Sequence, residues 1–177
     1  MEQREQMVAF WLVPARAERD FFASLIDLLA LRFNAPRFEP HVTLFGGDDI
    51  NPAGAEQVLV NATQGSRIEL QVERIAFSSE YTKTLFVQFR RSKEAEALSQ
   101  AFCEASGSSR DYKLDPHLSL AYADLPVHEK KEIAHSLELP FESVTFDAVK
   151  VITGHASTSG PDDVASWRVL AERRLPR

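Results

Sequence analysis

Two short segments of the chain repeat the same order of chemical types. Residues 39–44 (EPHVTL) and 115–120 (DPHLSL) each run acid, proline, histidine, aliphatic residue, hydroxyl residue, leucine. From average residue usage, a histidine followed at the second position by a hydroxyl residue and at the third by leucine arises at roughly one position in several thousand. One copy alone would favour a structural, hydrogen-bonded histidine. Two copies favour a functional pair and indicate two half-domains.

The spacing within each segment suits a strand that presents two polar side chains to one face. Because side chains alternate along a strand, His41 projects together with Thr43, and His117 with Ser119, while the aliphatic residues point into the core. Each proline comes at the start of its strand, where a missing N–H is tolerated. If a pseudo-twofold axis relates the halves, the two imidazole–hydroxyl pairs face each other across a cleft.

Two imidazoles and two hydroxyls in one cleft suit the hydrolysis of a phosphodiester. One imidazole takes a proton from the attacking water, and the other donates a proton to the departing sugar oxygen. Imidazole exists in both protonation states near neutral pH, so histidine can fill both roles. We therefore predict that His41 and His117 are catalytic, that Thr43 and Ser119 donate to the phosphate oxygens as charge develops, and that no cofactor is needed.

The acids of the repeated segments permit a second interpretation. Glu39 and Asp115 lie two residues before the histidines, so two histidines and two carboxylates could hold a metal. We rank this interpretation lower, because the intervening prolines disturb the geometry and no further H-x-H or E-x-x-H spacing supplies ligands. We predict no metal site, and we expect the acids to cap a neighbouring backbone or to orient an imidazole.

The remaining pattern predicts interleaved strands and helices. A polar turn between two alternating runs predicts a hairpin, and Asn34 before Pro36 predicts the end of the first helix. Antiparallel neighbours favour an α+β fold over a doubly wound sheet. The predicted strands are Met7–Val13, Ile68–Phe77, Thr84–Phe89, Phe141–Thr153 and Ser166–Ala171, and the predicted helices are a segment with an apolar face from Phe21 to Phe33, Glu94–Ala105 after Ser92, and Val127–Leu137.

Composition restricts the class of protein and of ligand. With 177 residues, 44% of them hydrophobic, and no linker-like stretch, the chain is typical of one globular domain. The net charge of -6 is opposite to that of proteins that bind long nucleic acids. We expect a small ligand, no membrane partner and a monomer. Cys103 is the only cysteine and no targeting segment is visible, which favours a reducing, cytoplasmic location.

The paired H-x-[ST]-L motifs resemble the 2H phosphoesterase superfamily. The segments FWLVP, FEPHVTLFGG and HLSLAY are most similar to its cyclic phosphodiesterase branch, which opens nucleoside 2′,3′-cyclic phosphates and ADP-ribose 1″,2″-cyclic phosphate. The resemblance implies a single bilobal domain over residues 1–177, with two antiparallel sheets, flanking helices, a central water-filled groove and no metal. It also implies that His117 activates the water and that His41 protonates the leaving oxygen.

Tyr122 matches an aromatic residue that the same branch uses near its substrate. Strand parity would turn Tyr122 to the face opposite His117, so this role requires the strand to end or bulge before it. Trp11 and Trp167 lie in apolar strand settings and are interpreted as packing residues. His128 and His135 are assigned to a solvated helix face.

Two other functions stay open at this point. The same superfamily includes 2′-5′ RNA ligases and RNA-end phosphodiesterases, which need a basic track to the cleft that the acidic composition disfavours. A nucleotide-binding module without catalytic activity could also keep the pocket. Hydrolysis of a small cyclic phosphate separates this third possibility from the other two.

Overall fold

The first strand and helix show how closely the sequence pattern sets the local structure. In the computed structural model, which describes residues 6–63 and 65–177, strand β1 spans Gln6–Pro14 and helix α1 spans Arg16–Phe33. Asn34 follows α1 in a left-handed conformation with φ 50, which is a common way to end a helix. The predicted boundary of this helix before Pro36 is therefore confirmed.

The other predicted elements are also present, with boundaries shifted by a few residues. Two short helices, α2 (Ala55–Ala62) and α5 (Pro161–Ala165), are not among the predicted elements, because helices this short depend on tertiary contacts more than on local sequence. After β1 and α1, the order along the described residues is β2 (Val42–Gly47), α2 (Ala55–Ala62), β3 (Ile68–Phe77), β4 (Leu85–Phe89), α3 (Lys93–Ala105), β5 (His117–Ala121), α4 (Val127–Ser136), β6 (Ser143–His155), α5 (Pro161–Ala165) and β7 (Arg168–Arg174).

The strands form one antiparallel sheet of seven strands in the order β1-β2-β5-β4-β3-β6-β7. Strand β6 is long enough to serve both halves: Ser143–Phe146 pairs with β3, and the rest of the strand pairs with β1 and β7. Strands β2 and β5 are joined by the pair Val42–Leu118. The α+β class is confirmed, and these pairings connect the two expected antiparallel sheets into one.

The two faces of β1 have different surroundings. Its even-numbered residues, Val8, Phe10 and Leu12, are 0% exposed and belong to the main core, where Phe10 stacks on Phe102 of α3 with ring centroids 4.3 Å apart. Burial of each such side chain stabilises the fold by about 2 kcal/mol. On the opposite face, the odd-numbered residues Ala9, Trp11 and Val13 form a smaller cluster with Ala148 and Ile152 of β6. None of the described helices is long and apolar enough to cross a membrane.

Candidate active site

A single residue pair between β2 and β5 brings the two repeated segments together. Val42 and Leu118 pair in an antiparallel register, and both side chains are 0% exposed in the core. The residues on either side of this pair face each other across the two strands, with their side chains turned to the opposite face. The four side chains brought together in this way are those of His41, Thr43, His117 and Ser119.

The register places each histidine opposite the hydroxyl residue of the other segment. Extending the register from the Val42–Leu118 pair puts His41 across from Ser119 and His117 across from Thr43. Facing residues on neighbouring antiparallel strands are separated by about 5 Å at Cβ. Each imidazole therefore has one hydroxyl residue near it on its own strand and another on the neighbouring strand, and we call this the crosswise arrangement. The structure brings together all four residues that the sequence predicted for the phosphate site.

The backbone two residues before each histidine holds its ring. Nδ1 of His41 is 2.6 Å from the Glu39 carbonyl oxygen, and Nδ1 of His117 is 2.8 Å from the Asp115 carbonyl oxygen. A carbonyl oxygen only accepts, so both Nδ1 atoms carry a hydrogen. In the neutral ring Nε2 then has a free lone pair, and in the charged ring it has a proton to donate. The acid-Pro-His order therefore fixes the tautomer of both rings.

The carboxylates of the two acids bind lysines from other elements. The Glu39 oxygens lie 2.6 and 2.8 Å from Nζ of Lys150 in β6. Asp115 Oδ2 lies 2.5 Å from Nζ of Lys83, and Asp115 Oδ1 accepts a hydrogen bond of 3.0 Å from Gln88. Among residues 6–63 and 65–177, no group of three His, Cys, Asp or Glu side chains is placed to hold a metal ion. Glu39 and Asp115 orient the imidazoles as expected, but they do so through their backbone carbonyls and not through their carboxylates.

The two histidines differ in burial and in ease of protonation. His41 is 7% exposed, and its ring stacks on Trp11 with centroids 3.6 Å apart and planes 8° apart. Burial lowers the pKa of His41 to about 4, opposed by the Glu39 hydrogen bond and reinforced by charge on His117. The side chain of His117 is 25% exposed; burial also lowers its pKa, and the hydrogen bond to Asp115 opposes that effect.

The two hydroxyl residues are placed differently. Thr43 is partly exposed, so a ligand can reach its hydroxyl. Ser119 is 5% exposed and donates its hydroxyl hydrogen to the Thr82 carbonyl at 2.7 Å. To donate to a phosphate oxygen, the Ser119 hydroxyl must turn away from Thr82.

Tyr122 meets the condition that its predicted role required. Strand β5 ends at Ala121, so the alternation of faces stops one residue before the tyrosine. Its ring is buried and stacks on Phe38 with centroids 4.0 Å apart. Burial raises the pKa of Tyr122, while a hydrogen bond with the Ser119 hydroxyl acts in the other direction. The phenol therefore lies beside the site that the two histidines share.

Sequence reasoning missed the part that two tryptophans play here. Trp11 contacts His41 directly, and Trp167 meets Trp11 edge-on with ring centroids 5.0 Å apart. Gly154 allows Trp167 this position, since a Cβ at residue 154 would lie 2.5 Å from the indole Cδ1. The interpretation of both as packing residues is thus incomplete. The observation that reveals the place of Trp11 is its pairing with Thr43, which is known only once the strands are aligned.

The other three histidines lie outside this cluster. His128 and His135 are exposed on α4, as predicted. His155, at the end of β6, contacts Asp163 with Nδ1 2.9 Å from Oδ1. Hydrogen bonds from the Ser159 backbone and from His155 lower the pKa of Asp163 to about 2.

Comparison with known proteins extends over nearly the whole chain. The family model described as "cyclic phosphodiesterase-like protein" matches residues 7–175. A cyclic phosphodiesterase from Arabidopsis thaliana is 25% identical over 149 residues, which is 82% of each chain. A phosphoesterase crystal structure shares the fold, with a TM-score of 0.62 at 12% identity, over 97% of this chain and 99% of that one. The E. coli LigT protein in complex with 3′-AMP has a TM-score of 0.59 at 11% identity, with the same coverage.

Proposed function

The chain belongs to the cyclic phosphodiesterase-like family of 2H phosphoesterases and is a phosphodiesterase, and from this premise we propose that it hydrolyses nucleoside 2′,3′-cyclic phosphates, ADP-ribose 1″,2″-cyclic phosphate or both, without a metal. The crosswise arrangement of two imidazoles and two hydroxyls carries the proposal. Both rings have Nδ1 bound to a carbonyl, so both Nε2 atoms are free to exchange protons with a ligand.

The reaction needs one proton acceptor and one proton donor. A water oxygen attacks phosphorus while a neutral imidazole Nε2 removes its proton; the bond from phosphorus to one sugar oxygen breaks, and that oxygen receives a proton from the other, charged imidazole. The product is a phosphomonoester, and the two histidines end in exchanged protonation states. Proton exchange with solvent then restores the starting state.

The burial of the two rings supports one assignment of their roles. The resemblance implies that His117 is the base and His41 the acid. We assign the roles in the opposite order, because His41 is the harder ring to protonate: it is more buried and stacked on Trp11. The neutral ring is the base, so His41 activates the water, and the more exposed His117 protonates the leaving oxygen.

The hydroxyls stabilise charge on the phosphate. As the pentacoordinate state forms, negative charge grows on the non-bridging oxygens, and fixed donors at those oxygens lower the barrier. Thr43 and Ser119 lie on either side of the β2–β5 pair and supply these donors. Tyr122 lies against Ser119 and contacts the substrate next to the phosphate.

Several observations support a substrate of nucleotide size. Structures of the similar E. coli LigT protein have been solved with 3′-AMP, ATP and NADP+. In this chain, aromatic rings that could contact a nucleoside surround the histidines, and the net charge of -6 disfavours a long nucleic acid. The aromatic side chains around the site are those of Trp11, Phe38, Tyr81, Tyr122 and Trp167.

A panel of phosphodiesters tests this proposal. Purified protein is offered 2′,3′-cyclic nucleotides, ADP-ribose 1″,2″-cyclic phosphate and 2′-5′-linked dinucleotides, and phosphorus NMR locates the phosphate on the product. We expect turnover of one or both cyclic phosphates and none by the His41→Ala/His117→Ala variant, which controls for contaminating enzymes. Turnover of the linked dinucleotides alone, or binding of all compounds without turnover, would contradict the proposal.

A further inference from the structure

The acid two residues before each histidine forms an ion pair with a lysine, and the two lysines come from different parts of the fold. Lys150 lies in the middle of β6 and binds Glu39, with 13% of its side chain exposed. Lys83 ends the short turn Tyr81–Lys83 and binds Asp115, with 18% of its side chain exposed. Exposed ion pairs contribute little, but lysines are rarely this buried without a specific partner.

In the second pair the carboxylate is close enough to the imidazole to compete for its proton. Asp115 Oδ2 lies 3.7 Å from Nδ1 of His117, and a small rotation of the side chain would close that gap. Lys83 holds Oδ2 at 2.5 Å and Gln88 holds Oδ1 at 3.0 Å. With both oxygens engaged, Nδ1 of His117 donates to the Asp115 carbonyl at 2.8 Å.

In the pair next to His41, glutamate takes the place of aspartate and the ring again binds a backbone carbonyl. Both oxygens of Glu39 lie on Lys150, at 2.6 and 2.8 Å. Glu172 of the neighbouring strand approaches the same ammonium group at 3.7 Å. Nδ1 of His41 donates to the Glu39 carbonyl at 2.6 Å. Glutamate and aspartate thus occupy the same place in the two halves, and each is held by a lysine.

The choice between a carbonyl and a carboxylate matters for proton transfer. An imidazole whose Nδ1–H is donated to a carboxylate is stabilised in its charged form, and its pKa rises. A neutral carbonyl fixes the same tautomer with a weaker effect on protonation. The carbonyl leaves a ring neutral before the reaction and makes a charged ring more ready to give up its proton.

We propose that Lys83 and Lys150 are positioning residues: Lys83 holds the carboxylate of Asp115 away from the His117 imidazole, and Lys150 fixes Glu39, so that each Nδ1–H is donated to a neutral backbone carbonyl. The meaning of this arrangement for catalysis rests on the proposed function, since it concerns the two histidines assigned to proton transfer. The arrangement itself belongs to the free protein and can be measured without a substrate.

The charged groups around His117 make it the better ring for a test. Apart from burial and its carbonyl hydrogen bond, His117 is influenced by Lys83, which lowers its pKa, and by Asp115 and Glu80, which raise it. Charge on His41 across the strand pair is also unfavourable to charge on His117. A change at Lys83 or Asp115 therefore alters one named contribution and leaves Glu80 and His41 in place.

The test is an NMR titration of the His117 imidazole in the substrate-free protein. In Lys83→Met the cation is lost and the carboxylate is released toward Nδ1, so the midpoint of His117 moves up by about one pH unit. In Asp115→Asn the negative charge is lost and the midpoint moves down. Lys83→Arg keeps the charge and retains the wild-type midpoint. Lys131→Met, at an exposed lysine of α4, is the matched control and changes nothing.

The dependence of the Lys83→Met shift on residue 115 distinguishes positioning from a fixed ion pair, because loss of charge alone already moves the His117 midpoint up in Lys83→Met and down in Asp115→Asn. If Lys83 holds the carboxylate away from Nδ1, the upward shift caused by Lys83→Met is smaller in the Asp115→Asn background than in the wild type. An equal shift in both backgrounds overturns the proposal. If Lys83→Met does not fold, Asp115→Asn and the wild-type imidazole ¹⁵N shifts still decide. An upward or absent shift in Asp115→Asn, or a wild-type hydrogen on Nε2 instead of Nδ1, overturns it as well.

Activity separates this proposal from the proposed function. If the wild type hydrolyses cyclic phosphates, we expect Lys83→Met and Lys150→Met to lower kcat about tenfold with little change in KM, and Lys83→Arg to restore it. If the wild type hydrolyses none of the phosphodiesters while the titrations shift as expected, the proposed function fails and the positioning role stands. If turnover is normal and the midpoints do not move, the positioning role fails alone.

Discussion

The indole of Trp11 lies flat against the imidazole of His41, with ring centroids 3.6 Å apart and planes 8° apart. The contact covers one face of the imidazole, and the Glu39 carbonyl binds its Nδ1. A charged His41 would therefore lose most of its hydration in the folded protein. The neutral form of His41 is therefore strongly favoured.

Protonation of His41 should make the protein less stable at acidic pH. The pKa of this ring falls from 6.5 to about 4 on folding, so between these values the unfolded chain binds more protons than the folded protein. The free energy of unfolding therefore falls as pH is lowered through this window, by about 3 kcal/mol if His41 acts alone. Above pH 6.5 the ring is neutral in both states, so titration of His41 no longer lowers the free energy of unfolding.

Urea unfolding at a series of pH values measures this dependence. We expect a flatter profile between pH 6.5 and 4 for His41→Asn, which keeps a donor for the Glu39 carbonyl and does not titrate there. Asp163 adds to the slope only below this window, because folding lowers its pKa from 3.8 to about 2 and its contribution to stability is lost as the pH falls between these values. An unchanged slope in His41→Asn would show that the pKa of this ring is not lowered by folding.

Loss of either hydroxyl should slow the chemical step. Thr43→Ala and Ser119→Ala each remove a donor to the phosphate, which typically costs about 3 kcal/mol in other enzymes. We expect a smaller loss here, about tenfold in kcat, because water can take the place of the missing donor. Thr43→Ser keeps the hydroxyl and should retain most of the activity.

Steady-state kinetics on a cyclic nucleotide checks the hydroxyls, with circular dichroism to confirm folding. The Ser119→Ala variant also releases the Thr82 carbonyl, so its stability is measured alongside. A folded Thr43→Ala/Ser119→Ala protein with wild-type kcat would remove both hydroxyls from the mechanism.

Turnover should not require a divalent ion. Proton transfer is assigned to His41 and His117 and charge stabilisation to Thr43 and Ser119, so each step has a protein group. We expect full activity after exhaustive chelation and dialysis, and no gain on adding Mg²⁺, Mn²⁺ or Zn²⁺. Loss of activity on chelation and its recovery with one of these ions would favour the metal interpretation instead.

The sequence predicts which four polar side chains come together better than it predicts what surrounds them. The repeated acid-Pro-His order identifies both histidines because it is local and occurs twice. The facing of His41 and Ser119 depends on the pairing of Val42 with Leu118, and no local pattern encodes a contact so distant along the chain. The contact of Trp11 with His41 cannot be predicted for the same reason. An apolar residue in a strand shows the same sequence pattern whether it packs in a core or against an imidazole.

The roles of the acids show a second limit. Sequence reasoning gave Glu39 and Asp115 a part in orienting the rings, which side chains alone would suggest. The hydrogen bonds come from their backbone carbonyls, and these atoms are identical in every residue type. Lys83 and Lys150, which occupy the carboxylates, lie in a turn and in a long strand where a lysine carries no distinguishing signal.

We propose opposite roles for the two histidines because they differ in burial, and we expect each to be essential. His41→Ala and His117→Ala should each abolish most of the activity on a cyclic nucleotide, and the double variant should lose little more, because residues that act as one unit are not additive. The wild-type pH profile should be bell-shaped, since one ring must be neutral and the other charged.

The most direct test of this account compares both variants on a substrate whose leaving alcohol is acidic, such as a nitrophenyl ester of a nucleotide. That leaving group departs without a proton, so only the variant that lacks the acid should recover. We predict that His117→Ala regains much of the wild-type rate while His41→Ala stays inactive. Recovery of His41→Ala alone would reverse the two roles, and equal recovery of both variants would contradict two-histidine acid–base catalysis.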